Sequence, residues 1–371
     1  MVILKLISMK NKLEKLEVVR GIIALYVVFH HSFFSESFIV FGKNLSFLFR
    51  FGQEAVILFF LMSGFVIGFS FERSRDKSFS SYFPRRFYRI YIPLVIIFLT
   101  HYLILSLQAH QWIYPQWLKL VGNILMLQDV SSLKPNVIVD AYLGNTPLWS
   151  LSYEWWFYMS FYLFYKLFGD KNSLNLFVPV LIIISAITYI LYPFFLNRLF
   201  MYYGIWWCGV LMARNYLLYS EVKITDLKLP VITLVAASCI LMLNAYIKKD
   251  TITTIGVSPI LELRHFVFAV VVLFAAFLWQ KLHWVGFNLL FDRFKIIAPL
   301  SYVLYISHYF LVARATFLDF IENKYIEFTI YLFLALAYSF IVETKIYPFF
   351  RDVFAGYYRV KIRFEITRYS R

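Results

Sequence analysis

Ten stretches of about twenty mainly apolar residues recur along this chain. A run of that length matches the thickness of a bilayer core, where a helix satisfies its own backbone hydrogen bonds. The runs lie at 17–36, 52–71, 86–107, 147–168, 174–195, 199–218, 229–247, 260–280, 296–316 and 326–347. They predict an all-α integral membrane protein of about ten transmembrane helices. Of the 371 residues, 61% are hydrophobic and 15% charged, against about 45–50% and about 25% in soluble domains. The 28 tyrosines and 9 tryptophans suit interfacial belts. A run at 115–127 is too short to span and is expected to be interfacial or re-entrant. The sequence predicts one transmembrane domain over 1–371, with no cleavable signal peptide and no appended soluble domain.

The net charge of +15 reads as topology. With residues at span ends assigned to the adjoining loop, 25 Lys and Arg fall on the N-terminal side of the membrane and 10 on the other; Arg20 lies inside a span. The positive-inside rule then places both termini in the cytoplasm and the 108–146 connection outside. The basic, aromatic tail FRDVFAGYYRVKIRF is expected on the inner membrane surface. No nucleic-acid motif accompanies the charge, so nucleic acid is not an expected partner. Cys208 and Cys239 both sit in apolar runs, giving neither a disulfide framework nor metal-ligand spacing.

Polar groups inside the spans carry the functional signal, because ionisable groups in a bilayer are costly and tend to face a cavity. RGIIALYVVFHH, 20–31, opens with Arg20 and closes with His30 and His31. Eleven residues make three turns, so Arg20 and His31 align to about 20° and lie about 16 Å apart, whereas His30 is about 80° off that line. Gly21 and Ala24 near this face leave room for a ligand or a neighbouring helix. LWSLSYEWWFY, 148–158, sets Glu154 among aromatics, one turn after Trp149 and Ser150. In ERSRDKSFSSYFPRRFYRIYIP, 72–93, Arg85, Arg86 and Arg89 follow Pro84, a residue suited to a helix first turn. Such a cluster fits phosphate binding or a cytoplasmic anchor. PLSYVLYISHYF, 299–310, repeats Ser301, Tyr305 and His308 at helical spacing, giving a polar pocket or a hydrogen-bonded seam.

Together these motifs resemble the transmembrane acyltransferase 3 family. EVVRGIIALYVVFHH looks like its acidic-x-x-Arg-Gly…His pattern through Glu17, Arg20 and His31. LFFLMSGFVIG, 58–68, with Ser63 and Gly64, resembles its second-span motif, and RRFYRIYIP its basic third-span start. WSLSYEWWFY and SYVLYISH resemble its Trp-Ser-Leu-x-x-Glu and Ser-Tyr-x-x-Tyr-x-x-His patterns. The chain departs at Ile57, where relatives often carry Asp; Glu54, one turn earlier, is the candidate replacement.

The resemblance implies a multi-pass enzyme of the cell (inner or plasma) membrane: an O-acyltransferase, most simply an O-acetyltransferase. Acetyl-CoA or another acyl-CoA would be the co-substrate, with no metal. A carbohydrate such as surface polysaccharide or its lipid-linked precursor would be the acceptor. His31 would be the general base, with Glu154 orienting it or positioning the acceptor. Arg20, Arg85, Arg86 and Arg89 would hold the donor. Glu54, Ser63, Trp149, Ser150, Ser301, Tyr305 and His308 would line the pocket. A flippase for a lipid-linked glycan and an inactive sensor on the same fold are the alternatives.

Overall fold

The structure is a computed structural model that describes residues 2–33, 38–169, 171–251, 254–354 and 356. Twelve α-helices account for most of the described chain. They are α1 (Val2–Phe33), α2 (Gly52–Arg73), α3 (Phe79–Gln108), α4 (Trp117–Ile124), α5 (Trp149–Phe168) and α6 (Lys171–Leu191). Then follow α7 (Phe195–Tyr219), α8 (Lys228–Ile247), α9 (Ile260–Lys281), α10 (Phe287–Phe291), α11 (Ser301–His308) and α12 (Lys324–Ile341). The strands among the described residues are short: β1 (Ile39–Val40) pairs with β2 (Lys43–Asn44), and β3 (Gln128–Asp129) with β4 (Val139–Asp140). Most of the basic C-terminal tail lies outside the described residues.

Helix occupies each of the ten expected ranges, but among the described residues seven helices are long and apolar enough to cross a membrane, or eight with one bent pair. Two of the expected spans, α5 and α7, fall outside that set, and their surroundings explain why. Helix α7 packs between α2, α6 and α8, and buries Arg198, Tyr202, Tyr203, Trp206 and Trp207 almost completely. A helix enclosed by other helices meets little lipid, so it carries tyrosine, tryptophan and arginine where an outer helix carries leucine. The expected ninth span is the bent pair: the segments 287–296 and 298–313 meet at 53°. Short 3₁₀ turns precede α11, and a π-helical turn over Tyr309–Ala313 follows it. Such turns break the regular hydrogen-bond ladder and often mark functional positions. The short run at 115–127 forms α4, whose Leu118, Val121 and Ile124 are exposed.

Helix α3 starts earlier than its apolar pattern suggests. Ser78 caps it, its hydroxyl accepting from the Ser81 amide at 3.3 Å. Pro84 is therefore inside the helix, and Arg85, Arg86 and Arg89 are not at its N-terminus. The helix dipole adds nothing to that arginine cluster, since its effect fades within the first turn.

Close backbone contact holds α2 against α7. A Cβ on Gly64 would overlap the Trp206 carbonyl, and one on Gly209 the Leu61 carbonyl. Small residues at such crossings let membrane helices approach closely. The space beside Gly21 is filled likewise, by the backbone of Phe294 and Ala298, so a neighbouring segment and not a ligand occupies it. Gly64→Val should force α2 and α7 apart and cost about 1–3 kcal/mol or more. The readout is thermal unfolding of purified protein in detergent; an unchanged midpoint would show that the helices do not meet at Gly64.

Candidate active site

A cavity of about 330 Å³ gathers most of the predicted polar residues from five segments. Arg20 comes from α1, Ser63 and Ser70 from α2, Arg85, Arg86 and Arg89 from α3, Ser150 and Glu154 from α5, and Ser301, Tyr302 and Tyr305 from the α11 segment. The four arginines are not equivalent. Arg89 forms a two-pronged ion pair with Glu343, at 2.5 and 3.0 Å, so its charge is already satisfied. This corrects the expectation that all three α3 arginines are free for a ligand; the partner lies 254 residues away. Among the described residues Arg86, 7% exposed, gives its N–H groups to the Ser70 hydroxyl and the Tyr82 carbonyl alone, and stacks over the Tyr82 ring at 4.1 Å. Arg85 bonds to Ser81. Arg20 has no hydrogen bond or ion pair among the described residues. Three guanidinium groups without a carboxylate partner thus line one cavity, an arrangement that suits a polyanion.

Deeper in, Glu154 receives the Ser63 hydroxyl at 2.6 Å and that of Tyr158, while the Trp206 indole donates to Ser63 at 3.2 Å. No hydrogen bond or ion pair joins Glu154 to His31 among the described residues, so it does not orient that imidazole. Ser150 and the Tyr305 hydroxyl meet at 2.8 Å, and Tyr305 also donates to the Pro147 carbonyl at 2.9 Å. Ser301 bonds locally to the Ala298 carbonyl at 2.8 Å.

His308 lies one helical turn beyond Tyr305. Its Nδ1 donates to the Tyr305 carbonyl at 2.7 Å, which leaves a lone pair on Nε2. That Nε2 is buried and has no hydrogen-bond partner among the described residues. His31 packs against it, with ring centroids 5.2 Å apart, and meets the Tyr309 ring edge-on at 5.3 Å. His30 points elsewhere: its Nδ1 donates to the Phe49 carbonyl at 2.5 Å, and its ring fills the space beside Gly52. Unbroken helix between residues 20 and 31 preserves the phase that separates the two histidines.

Two expected pocket residues belong elsewhere. Glu54 pairs with Arg264 of α9 and lies in the first turn of α2, the turn that packs on His30. Trp149 stacks parallel to His265 at 6.1 Å and carries the Lys134 ammonium over its ring at 3.8 Å. It joins a buried cluster in which Asp129 receives Lys134 at 2.8 Å and the Tyr153 hydroxyl at 2.6 Å, with Arg198 at 3.6 Å. Burial pushes the Lys134 ammonium down from its ordinary range, against the pull of Asp129. This cluster ties the connection after β3 to α5 and α7.

The acyltransferase domain model matches residues 13–344, nearly the whole chain. The protein belongs to the acyltransferase 3 family. It is also similar to acyltransferase MdmB of Streptomyces mycarofaciens, at 37% identity over 129 residues. That alignment covers 34% of this chain and 32% of the relative, so the chain spans about a third of the curated protein it matches. No solved structure matches.

For this acyltransferase 3 member, the sequence motifs missed the residues that fix the arginines. Ser70 and Tyr82 hold Arg86, and Glu343 holds Arg89. Only Glu343 left a trace, as an acidic residue at the end of the tenth apolar run. Its side chain is 6% exposed. Arg89→Gln should therefore destabilise the protein by about 1.5–3 kcal/mol, the scale of a charged hydrogen bond. Arg89→Gln combined with Glu343→Gln should recover most of the loss in detergent thermal unfolding. A single variant as stable as wild type would mean that the pair does not hold α3 to the chain after α12.

Proposed function

We propose that this protein is an integral-membrane O-acyltransferase that moves an acyl group, most simply acetyl, from acyl-CoA to a hydroxyl of a carbohydrate acceptor. The observation that carries this reading is the cavity itself. It runs from unpaired guanidinium groups at Arg20, Arg85 and Arg86 to Tyr305, one helical turn from the His308–His31 contact. Arg20 and His31 lie about 16 Å apart along one helix, which suits a long, thin donor with phosphates at one end and a thioester at the other. Family membership and the acyltransferase relative support the reaction class.

In this reading the cationic end of the cavity opens to the cytoplasm and holds the donor phosphates. Ser63, Glu154 and Tyr158 line the path of the pantetheine arm. His31, in its neutral form, takes the proton of the acceptor hydroxyl as that oxygen attacks the thioester carbonyl. A carbon–oxygen bond forms, the carbon–sulfur bond breaks, and the imidazolium returns its proton to the departing thiolate. His308, whose ring packs against that of His31, is the orienting neighbour of His31, the role that Glu154 does not fill.

Labelled acetyl-CoA incubated with membranes tests the reading: label should enter glycan, whereas movement of unmodified glycan alone would support a flippase. Arg86→Gln should weaken acyl-CoA binding roughly ten- to a hundredfold, from the loss of charge-assisted hydrogen bonds. Unchanged affinity would make this arginine a topology anchor. His31→Ala should lower transfer by about 10²–10⁴-fold while donor binding persists, and His30→Ala should retain most activity. A dead His30 variant beside an active His31 variant would reverse the assignment. The proposed orientation puts both termini and the 72–85 loop in the cytoplasm; a reporter fusion that finds the C-terminus outside would overturn it.

A further inference from the structure

A second cavity, of about 280 Å³, lies on the far side of the histidine pair. Its walls come from the last turns of α3, from the turn at Leu143 and Gly144, and from the π-helical turn after α11. Four side chains give it chemistry: His101, Gln108, Tyr309 and Arg314. None of them belongs to the arginine-lined cavity, and the two cavities share no lining residue.

Three observations point to a ligand. His101 is 6% exposed and stacks flat on Phe310, with centroids 4.4 Å apart. No described residue hydrogen-bonds its ring nitrogens, so a buried imidazole is presented to the cavity without a partner. A buried polar group of this kind is costly unless something in the cavity satisfies it. Arg314 stands exposed at the rim and has no carboxylate partner among the described residues; its Nε donates to the Tyr309 hydroxyl at 3.3 Å. Tyr309 is shared between the two features: its ring lines the cavity and touches the ring of His31. The cavity therefore ends one side chain from the proposed base. Its volume is close to the lower end of the roughly 300–1,000 Å³ range of small-molecule clefts.

We infer that this cavity is the acceptor subsite, and that it takes a sugar carrying an anionic group. The inference rests on the proposed acyl transfer and deepens it. The anionic group, a carboxylate or a phosphate, pairs with Arg314 at the rim. A ring hydroxyl hydrogen-bonds His101. The hydroxyl to be acylated passes Tyr309 to reach His31, where it loses its proton as the new ester bond forms and the thioester bond breaks. Donor and acceptor would then enter from opposite ends of the bundle and meet at His31 and His308. His101 and Arg314 are acceptor-positioning residues, because neither reaches the reacting atoms.

The test separates the acceptor half of the reaction from the donor half. Wild type, His101→Ala, Arg314→Gln and Arg314→Lys are compared in membranes for transfer of labelled acetyl to glycan, and as purified proteins for acetyl-CoA binding. Transfer should fall at least tenfold in His101→Ala and Arg314→Gln, and recover in part in Arg314→Lys, with acetyl-CoA affinity equal to wild type in all three. Octyl β-D-glucuronide should inhibit wild-type transfer more strongly than the neutral octyl β-D-glucoside, and Arg314→Gln should abolish that difference. Normal transfer in both variants overturns the subsite, as does loss of acetyl-CoA binding alongside transfer. Equal inhibition by the two glycosides overturns the anionic assignment. A wild-type protein that binds acetyl-CoA but labels no glycan sinks the proposed function itself, and the subsite with it.

Discussion

A charged group among apolar helices is costly unless it is paired or hydrated in a cavity, and this constraint sorts the polar side chains of the protein. One set is paired. Arg89 has Glu343, Arg264 has Glu54, Arg214 has Glu72, and Asp129 is shared by Lys134 and Arg198. Apart from Asp129–Lys134, these pairs join segments distant in sequence, and removing one partner leaves the other uncompensated. The other set is unpaired and faces a cavity: Arg20 and Arg86 in one, His101 in the other. Arg20, Arg86 and His101 are thus left without a carboxylate among the described residues where they face the two cavities, on either side of one histidine contact.

That contact depends on the regularity of α1 and the irregularity of the segment opposite. Unbroken helix from Arg20 through His31 keeps the two side chains on a single face. Across from it, a regular ninth span would have set its side chains at fixed 3.6-residue steps. The 3₁₀ turns before α11 and the π-helical turn after it shift that spacing. His308 consequently faces His31 while Tyr309, the next residue, reaches both His31 and the second cavity.

Periodicity and charge made the helices legible in the sequence, along with the separation of His31 from His30, since both follow from local geometry. Nine of the proposed site residues, from Arg20 to Tyr305, do line one cavity. What local geometry does not carry is a partner. Arg85, Arg86 and Arg89 look alike in RRFYR, and only the arrival of Glu343 from the far end of the chain distinguishes Arg89. Glu54 resembles a carboxylate for His31 because it is nearly one turn from Ile57, but three residues fall about 60° short of a full turn, and its carboxylate meets Arg264. Trp149 and Ser150 are neighbours on α5 that point about 100° apart, so one enters the cationic cavity and the other stacks on His265.

The same reasoning explains how Ile57 fits a fold whose relatives often place an acid there. Ile57 is 1% exposed and packs in the apolar core. A carboxylate at that position would need a cation or several donors, and its only local rival, Glu54, is already committed to Arg264. Among the described residues no acid bonds His31, so in the proposed mechanism the task of directing its imidazole passes to His308. His308 offers a fixed lone pair, since its Nδ1 proton is held by the Tyr305 carbonyl. The Tyr305 hydroxyl is in turn tied to Ser150 and the Pro147 carbonyl, in the segment that begins α5. The His31–His308 contact is thereby linked, through Tyr305, to the wall of the arginine-lined cavity at Ser150 and Pro147: in the proposed mechanism, a shift of α5 on donor binding would be felt at His31 without any direct contact from Glu154.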